Sequence, residues 1–487
     1  MSHPLFSIGF IQILIILVNM GRAKVLAMLL GPAGFGIVAT IDQIVLSVVQ
    51  IAGFAVPFIA LKLLSFTHSE NHERFQIAYS SFLSGILGLS ISSTLILLGI
   101  LQFKPDLFGD DIAPYLNYLQ LALFGVPTLM LSFFFVNTLA AGQKAASSAY
   151  LNFIVTLCLS IAACLGVFFG DILGLYFATI ATGIVTSVAT VIYVNRYLGV
   201  KIRHKDAGFI KYIRQKPQIV SMALVLHVAL SAYSVAMLVI RYFVFNQYGE
   251  AEAGFLQAML GIALALGAIS GPMNLLFLTP LLNRDVSSDN KLAAAHDFQK
   301  NIILILTVIA LPVILFPKLV LYILFSSEFL GIANIVFIFI IWQCFYQMVH
   351  VYLQLLIGLN DISFISFSIT IGYIVCIALS SISIENFGLM GAPFVLILSL
   401  VITKIMVWYR LKSKYHSTLP IALWLRMGSC LGLLIFTGIS FNAIEEWSLI
   451  GFAARVGFGL AVLVGLWFFL SPEQKIYFFK LGKKIIS

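Results

Sequence analysis

Residues 6–36 read FSIGFIQILIILVNMGRAKVLAMLLGPAGFG. The stretch stays apolar over 6–30, with a few polar side chains, then turns tightly before the next apolar run begins at 36. A helix of this length crosses a bilayer. The hydrocarbon core takes about 20 mostly apolar residues, because every backbone N–H and C=O must be satisfied within the segment. No basic residue precedes the run and no small-residue cleavage site follows it, so it reads as a retained span rather than a removed leader.

The same pattern continues along the chain. Of its 487 residues, 61% are hydrophobic and 10% charged, against about 25% charged in a typical soluble protein. The mean hydropathy is +1.06. Further apolar runs fall at about 36–61, 77–101, 115–141, 148–169, 172–195, 217–245, 254–282, 301–325, 332–357, 363–384, 389–409, 421–441 and 448–470. The expected fold is all-α: a polytopic membrane protein of about fourteen transmembrane helices with little mass outside the bilayer. The five cysteines, Cys158, Cys164, Cys344, Cys376 and Cys430, all lie in apolar runs without paired spacing. They read as packing residues rather than disulfides or a metal site.

Basic residues set the orientation. With the N-terminus inside, the inner connections hold Lys62, Arg74, Lys144, Arg284, Lys291, Lys300 and Arg410. They also hold the cluster Arg196, Lys201, Arg203, Lys205, Lys211, Arg214 and Lys216, and the tail adds Lys475, Lys480, Lys483 and Lys484. The outer connections have only Lys104 and Lys318 but carry acids such as Asp106, Asp110, Asp111, Glu250, Glu328 and Glu445. Both termini are expected in the cytoplasm. The net charge of +9 then reflects basic loops facing an anionic leaflet, and no nucleic-acid partner is expected.

The basic connection at 201–216 divides the first twelve runs into six and six. Ala33-Gly34-Phe35 recurs as Ala253-Gly254-Phe255, and Phe108-Gly109-Asp110-Asp111 matches Phe325-Ser326-Ser327-Glu328. Gly142 matches Gly358 and Gly174 matches Gly391, all at offsets of roughly 216–220 residues. Six spans return the chain to its starting side. The copies would therefore be parallel bundles, related by an axis along the membrane normal and enclosing a central cavity. The expected organisation is a bundle over 1–200, a cytoplasmic connection over 201–216, a second bundle over 217–412, and two extra helices with a basic tail over 413–487.

Polar side chains inside these runs mark candidate cavity residues, because an ionisable group at mid-bilayer costs about 2.5–3.5 kcal/mol on insertion scales. The first run carries Gln12, Asn19 and Arg22 on one face and Lys24 on another. The second has Asp42, with Gln43, Ser47 and Gln50 along one face. The seventh places His227, Ser231, Ser234 and Arg241 on one stripe, and the tenth aligns Gln343, Gln347, His350 and Gln354 beside Trp342 and Tyr346. Amides, hydroxyls and imidazoles beside isolated cations suit a polar, anionic ligand, with phosphate the obvious candidate. Other roles are open to the same residues. Ser and Gln also serve interhelical hydrogen bonds, and Arg22, Lys24 and Arg241 can snorkel. Asp42 can pair with Arg22 or Lys24, and Arg455, about seven residues into the last run, is harder to place by snorkelling.

The segment Lys24-Val25-Leu26-Ala27-Met28-Leu29-Leu30-Gly31-Pro32-Ala33-Gly34-Phe35-Gly36, followed by Gln43, resembles the opening of the Wzx-type oligosaccharide-lipid flippases, the O-antigen and enterobacterial common antigen translocases. These belong to the multidrug/oligosaccharidyl-lipid/polysaccharide exporter superfamily. Arg241 and Leu324-Phe325-Ser326-Ser327-Glu328-Phe329 extend the likeness, which covers residues 1 to about 412. The resemblance implies two six-helix bundles around a central cavity, in the bacterial inner membrane. It implies flipping of undecaprenyl-diphosphate-linked oligosaccharide for lipopolysaccharide or O-antigen biosynthesis. Arg22, Lys24 and Arg241 would meet the diphosphate, and the Gln/His stripes the sugars. The chain departs from the family in its two additional helices and in the acid at Asp42.

Other functions make distinct demands. A lipid II-type flippase of the same superfamily would share the two extra helices, but its Arg-Asp pair in the first helix is missing here. An ion-coupled multidrug antiporter would need a buried acid, and Asp42 is the one acid well inside a run. A membrane glycan polymerase or ligase would need a large outer loop, and every outer connection is short, so no enzyme is expected. A scaffold for glycan assembly would not need polar helix stripes. No ATP-binding loop and no cofactor motif is present, so any energy would come from a proton or sodium gradient or from substrate flux. The expected partners are the lipid-linked glycan, anionic lipids at the basic loops, and polysaccharide-assembly proteins.

Overall fold

The computed structural model describes residues 3–54, 56–202, 208–214, 217–269, 287–417 and 421–469. Arg203, Lys205, Lys216, Arg284, the basic tail and the end of the run 254–282 lie outside the described residues. The described chain is helical throughout and contains no strand. The α-helices are α1 (His3–Ala52), α2 (Val56–Glu70), α3 (His72–Phe103), α4 (Leu116–Leu123), α5 (Val126–Ala141), α6 (Ala145–Leu198), α7 (Phe209–Arg214), α8 (Pro217–Tyr248) and α9 (Glu250–Ile269). They continue as α10 (Ser288–Leu315), α11 (Pro317–Leu324), α12 (Val336–Gly358), α13 (Ile362–Phe387), α14 (Gly391–Tyr415), α15 (Ile421–Asn442) and α16 (Leu449–Phe469).

Among the described residues, ten helices are long and apolar enough to cross a membrane, or eleven if the bent pair Ala113–Leu123 and Val126–Ala141 counts as one span. Three of the ten are of double length. Ile8–Ala52 has 45 residues, and Ala145–Leu198 and Ile362–Tyr415 have 54 each, where about 20 suffice for one crossing. Each is broken where two apolar runs meet: at Gly31, at Gly170–Asp171 and at Gly388. Gly31 has φ +65°, which costs a glycine little, and the next residue is a proline whose fixed φ suits the first turn of a helix. The apolar runs are thus carried by fewer continuous helices than there are runs. The chain is a multi-pass membrane protein, and large apolar side chains such as Leu95, Ile96 and Val185 stand exposed along its helices.

The chain forms two compact units. The first comprises Met1–Gly261, Leu324–Glu328 and Asp361–Thr403; the second comprises Ile262–Ile323, Phe329–Asn360 and Lys404–Ser487. In the first unit, α1 packs against α6 and α8, α13 against α8, and α5 against α6. At one close crossing, Pro32 and Gly36, which flank the first Ala-Gly-Phe segment, meet Glu250 and Gly254. A Cβ on Gly36 would lie 1.9 Å from the Glu250 carbonyl oxygen, and one on Gly254 would lie 2.0 Å from that of Pro32. Backbone meets backbone there, so glycine at both positions has a steric reason.

In the second unit, α10 packs against α12 and α15. Arg455 of α16 is buried and donates to the carbonyls of Phe441 at 2.8 Å and Ile444 at 2.7 Å, and to that of Leu315. These carbonyls lie at or just past the C-terminal ends of α10 and α15, where no intrahelical donor remains. Arg455 is therefore a clamp on helix ends. Beside it, Glu446 accepts from the N–H groups of Lys318 and Leu319 at 3.0 and 2.8 Å, capping the start of α11.

Candidate functional site

The break at Gly31 brings the two halves of α1 side by side. As a result Arg22 Nη2 comes within 3.5 Å of Asp42 Oδ2. From the second half of α6, Tyr176 donates its hydroxyl to Asp42 Oδ1 at 3.3 Å. These three residues line a cavity of about 200 Å³ in the first unit, together with Thr128 and Ser132 of α5 and Thr179 of α6. Each of the three hydroxyls donates to a carbonyl of its own helix, at 2.8 to 2.9 Å. Their oxygen lone pairs remain available as acceptors. Asp42 thus takes Arg22 as an ion-pair partner.

The other expected residues of this unit are distributed around that cavity rather than gathered in it. Asn19 is exposed. Lys24 Nζ donates to the Phe325 carbonyl at 3.0 Å, beside the Phe35–Phe325 ring contact. Gln43 donates to Ser47 Oγ at 3.4 Å, and Ser47 accepts from Ser234 of α8 at 3.1 Å, so this part of the stripe ties α1 to α8. His227 is half-buried, 3.4 Å from Ser231 and with its ring 5.0 Å from that of Phe54.

Arg241 does not line the cavity either, but it stands apart in its burial. It is buried in α8 at 5% exposure. Nη2 donates to Gln257 Oε1 of α9, while Nε and Nη1 have no hydrogen-bond partner. A guanidinium carries five N–H donors and no acceptor, so a buried one with idle donors bears a desolvation cost that an incoming acceptor would relieve.

In the second unit, the α12 stripe divides in two. Gln343 and Gln347 are buried against α9, where Gln347 donates to the Gly267 carbonyl at 3.2 Å. A Cβ on Gly267 would lie 1.7 Å from Gln343 Nε2, so the amides occupy the space a side chain would fill. His350 and Gln354 pair at 2.9 Å, and the imidazole stacks on Tyr346 at 5.7 Å. Gln343 Oε1 and Gln354 Oε1 have no partner. Half of the stripe thus packs against α9, and the other half pairs with itself along α12.

Several residues of these sites carry no mark in the sequence. Tyr176, Thr128, Ser132 and Thr179 look like ordinary members of apolar helices. Gln257 is one of two amides within the run 254–282, the other being Asn274, and that is its only mark. Lys404 of α14 is buried between the rings of Phe345 and Trp424, at 5.2 and 4.5 Å from their centroids, a cation–π setting inside a run where a lysine is unusual. Among the described residues, no group of His, Cys, Asp and Glu is placed to hold a metal ion.

The fold is similar to that of solved transporters of the multidrug/oligosaccharidyl-lipid/polysaccharide (MOP) superfamily. The lipid II flippase MurJ in an inward closed conformation superposes with a TM-score of 0.70 at 15% identity, over 94% of this chain and 96% of that one. An inward-facing multidrug resistance MATE family transporter gives a TM-score of 0.64 at 13% identity, over 88% and 98%. A MOP superfamily transporter from Pyrococcus furiosus gives 0.58 at 14% identity, over 88% and 96%. At these identities the likeness is one of fold. No protein-family model matches the chain, and no curated protein sequence does.

Proposed function

We propose that the chain is a flippase of the bacterial inner membrane, with both termini in the cytoplasm. It carries an undecaprenyl-diphosphate-linked oligosaccharide repeat unit from the inner to the outer leaflet by alternating access, for surface polysaccharide such as O-antigen. The observation that carries this reading is Arg241, a buried guanidinium in a membrane-spanning helix with two nitrogens, Nε and Nη1, that have no hydrogen-bond partner. A diphosphate supplies planar pairs of acceptor oxygens that suit an arginine fork. Of the three cations expected to meet it, Arg22 is paired with Asp42 and Lys24 is bonded to the Phe325 carbonyl. The clamp therefore centres on Arg241, with Arg22 in reserve at the cavity. The ion pair and the Tyr176 hydrogen bond also make Asp42 a poor resident acid for a drug–cation antiporter.

A lipid II-type flippase is the second reading, favoured by the 94% coverage of this chain in the match to MurJ. Both readings share the diphosphate. One deletion experiment separates them: loss of the gene should leave an undecaprenyl-linked oligosaccharide, rather than a peptidoglycan precursor, on the inner leaflet. In the complemented strain, Arg241→Ala should abolish surface polysaccharide export at unchanged membrane level of the protein, and Arg241→Lys should restore part of it. Normal export by Arg241→Ala would remove the diphosphate clamp from the reading.

A further inference from the structure

We infer that the end of α6 carries a binding site for the headgroup of an anionic phospholipid, separate from the Arg22–Asp42 cavity. The break at Gly170–Asp171 turns α6 back on itself, so its two ends meet. Ser147 donates its hydroxyl to the Tyr197 hydroxyl at 3.0 Å across 50 residues of chain, and Lys144 sits 5.7 Å above the Tyr197 ring. Tyr193 and Tyr197, one turn apart, stack at 5.4 Å with planes 13° apart. Beside them lies a groove of about 430 Å³ lined by Ala189, Ile192, Tyr193, Arg196 and Tyr197. It shares no lining residue with the cavity described above.

The surroundings identify the occupant. Ile184, Val185, Val188 and Ile192 stand exposed along the same helix and lead to the groove. From Ile184 to Tyr197 the helix rises about 20 Å, comparable with the depth of one leaflet of a hydrocarbon core of about 30 Å. An acyl chain laid on that apolar stripe would place its phosphate beside Arg196. The arginine fork can take two phosphate oxygens, Lys144 adds a point charge, and tyrosine hydroxyls donate at the level where aromatic belts sit. The groove has no acidic lining residue, and neither Arg196 nor Lys144 is in an ion pair among the described residues. Positive charge without a counter-charge selects an anionic headgroup over a zwitterionic one. This end of α6 leads into the basic connection that the charge pattern assigns to the cytoplasm, the side where anionic lipid is encountered.

Native mass spectrometry of the full chain in detergent tests the site, with phosphatidylglycerol and phosphatidylcholine of matched acyl chains as probes. The wild type should retain phosphatidylglycerol preferentially. Arg196→Gln and Lys144→Gln should each weaken that retention about fivefold, leaving phosphatidylcholine unchanged. Equal retention of the two lipids by the wild type, or unchanged retention by the double variant, would overturn the proposal. So would displacement of the lipid by soluble glycerol phosphate, which would make the groove a site for a free anion. A photoactivatable phosphatidylglycerol needs no variant: its cross-links should fall within residues 184–198, and their absence from that peptide would equally refute the site.

Discussion

Arg241 and Arg455 show how one residue type, buried in similarly apolar helices, takes opposite roles. Arg455 meets three backbone carbonyls at or just past helix ends, whereas Arg241 meets one amide and leaves two of its nitrogens, Nε and Nη1, without a partner. Replacing Arg455 by Met should destabilise the protein by roughly 3 kcal/mol, because buried carbonyls lose their donors. Thermal unfolding in detergent should show this as a lowered Tm, and the protein that does fold should retain export. Both arginines are visible in the sequence as charges within apolar runs. What they bond to is not, because the carbonyls of Leu315, Phe441 and Ile444 are brought together by packing that hydropathy does not encode. Tyr176 illustrates the other limit. A tyrosine in an apolar helix gives no sign that its hydroxyl ends on Asp42.

At the scale of the element, Gly254 of the second Ala-Gly-Phe segment meets Pro32 and Gly36, the residues that flank the first, through bare backbone. The small residues are readable from sequence, but their contact partner is not, because any glycine in a span could serve any neighbour. A methyl group on Gly254 has no room beside the Pro32 carbonyl. Gly254→Ala should therefore force α9 away from the start of the second half of α1, at a cost of about 1–3 kcal/mol. Its Tm should fall, and a cysteine placed at Ala33 should become more reactive to maleimide than in the parent. Unchanged Tm and reactivity would mean that the crossing is looser than the backbone distances imply. Gly31-Pro32 was legible as a turn, whereas the continuation of helix up to both sides of it was not, since a helix break and a loop share the same residues.

For the whole molecule, composition and run length decide the class, because a chain that is 61% hydrophobic has no soluble alternative. Long-range assembly is another matter. That 361–403 shares a compact unit with 1–261 depends on helix faces whose apolar residues are interchangeable in sequence. The proposed orientation makes a direct prediction, with the five native cysteines replaced. A cysteine at Lys211 should label with an impermeant thiol reagent only after the membrane is opened, and one at Asp106 should label in intact cells. The reverse pattern would invert the topology and with it the proposed direction of transport.

The double-length helices carry a consequence for handling the protein. Their breaks follow the first, fifth and eleventh apolar runs, so under the proposed topology all three emerge on one face of the membrane, as turns of one to three residues. That face offers an antibody or a protease almost nothing to grip there. An epitope tag inserted at Gly31, Asp171 or Gly388 would sever two spans at once, so affinity handles and fluorescent fusions belong at the longer connections of the opposite face.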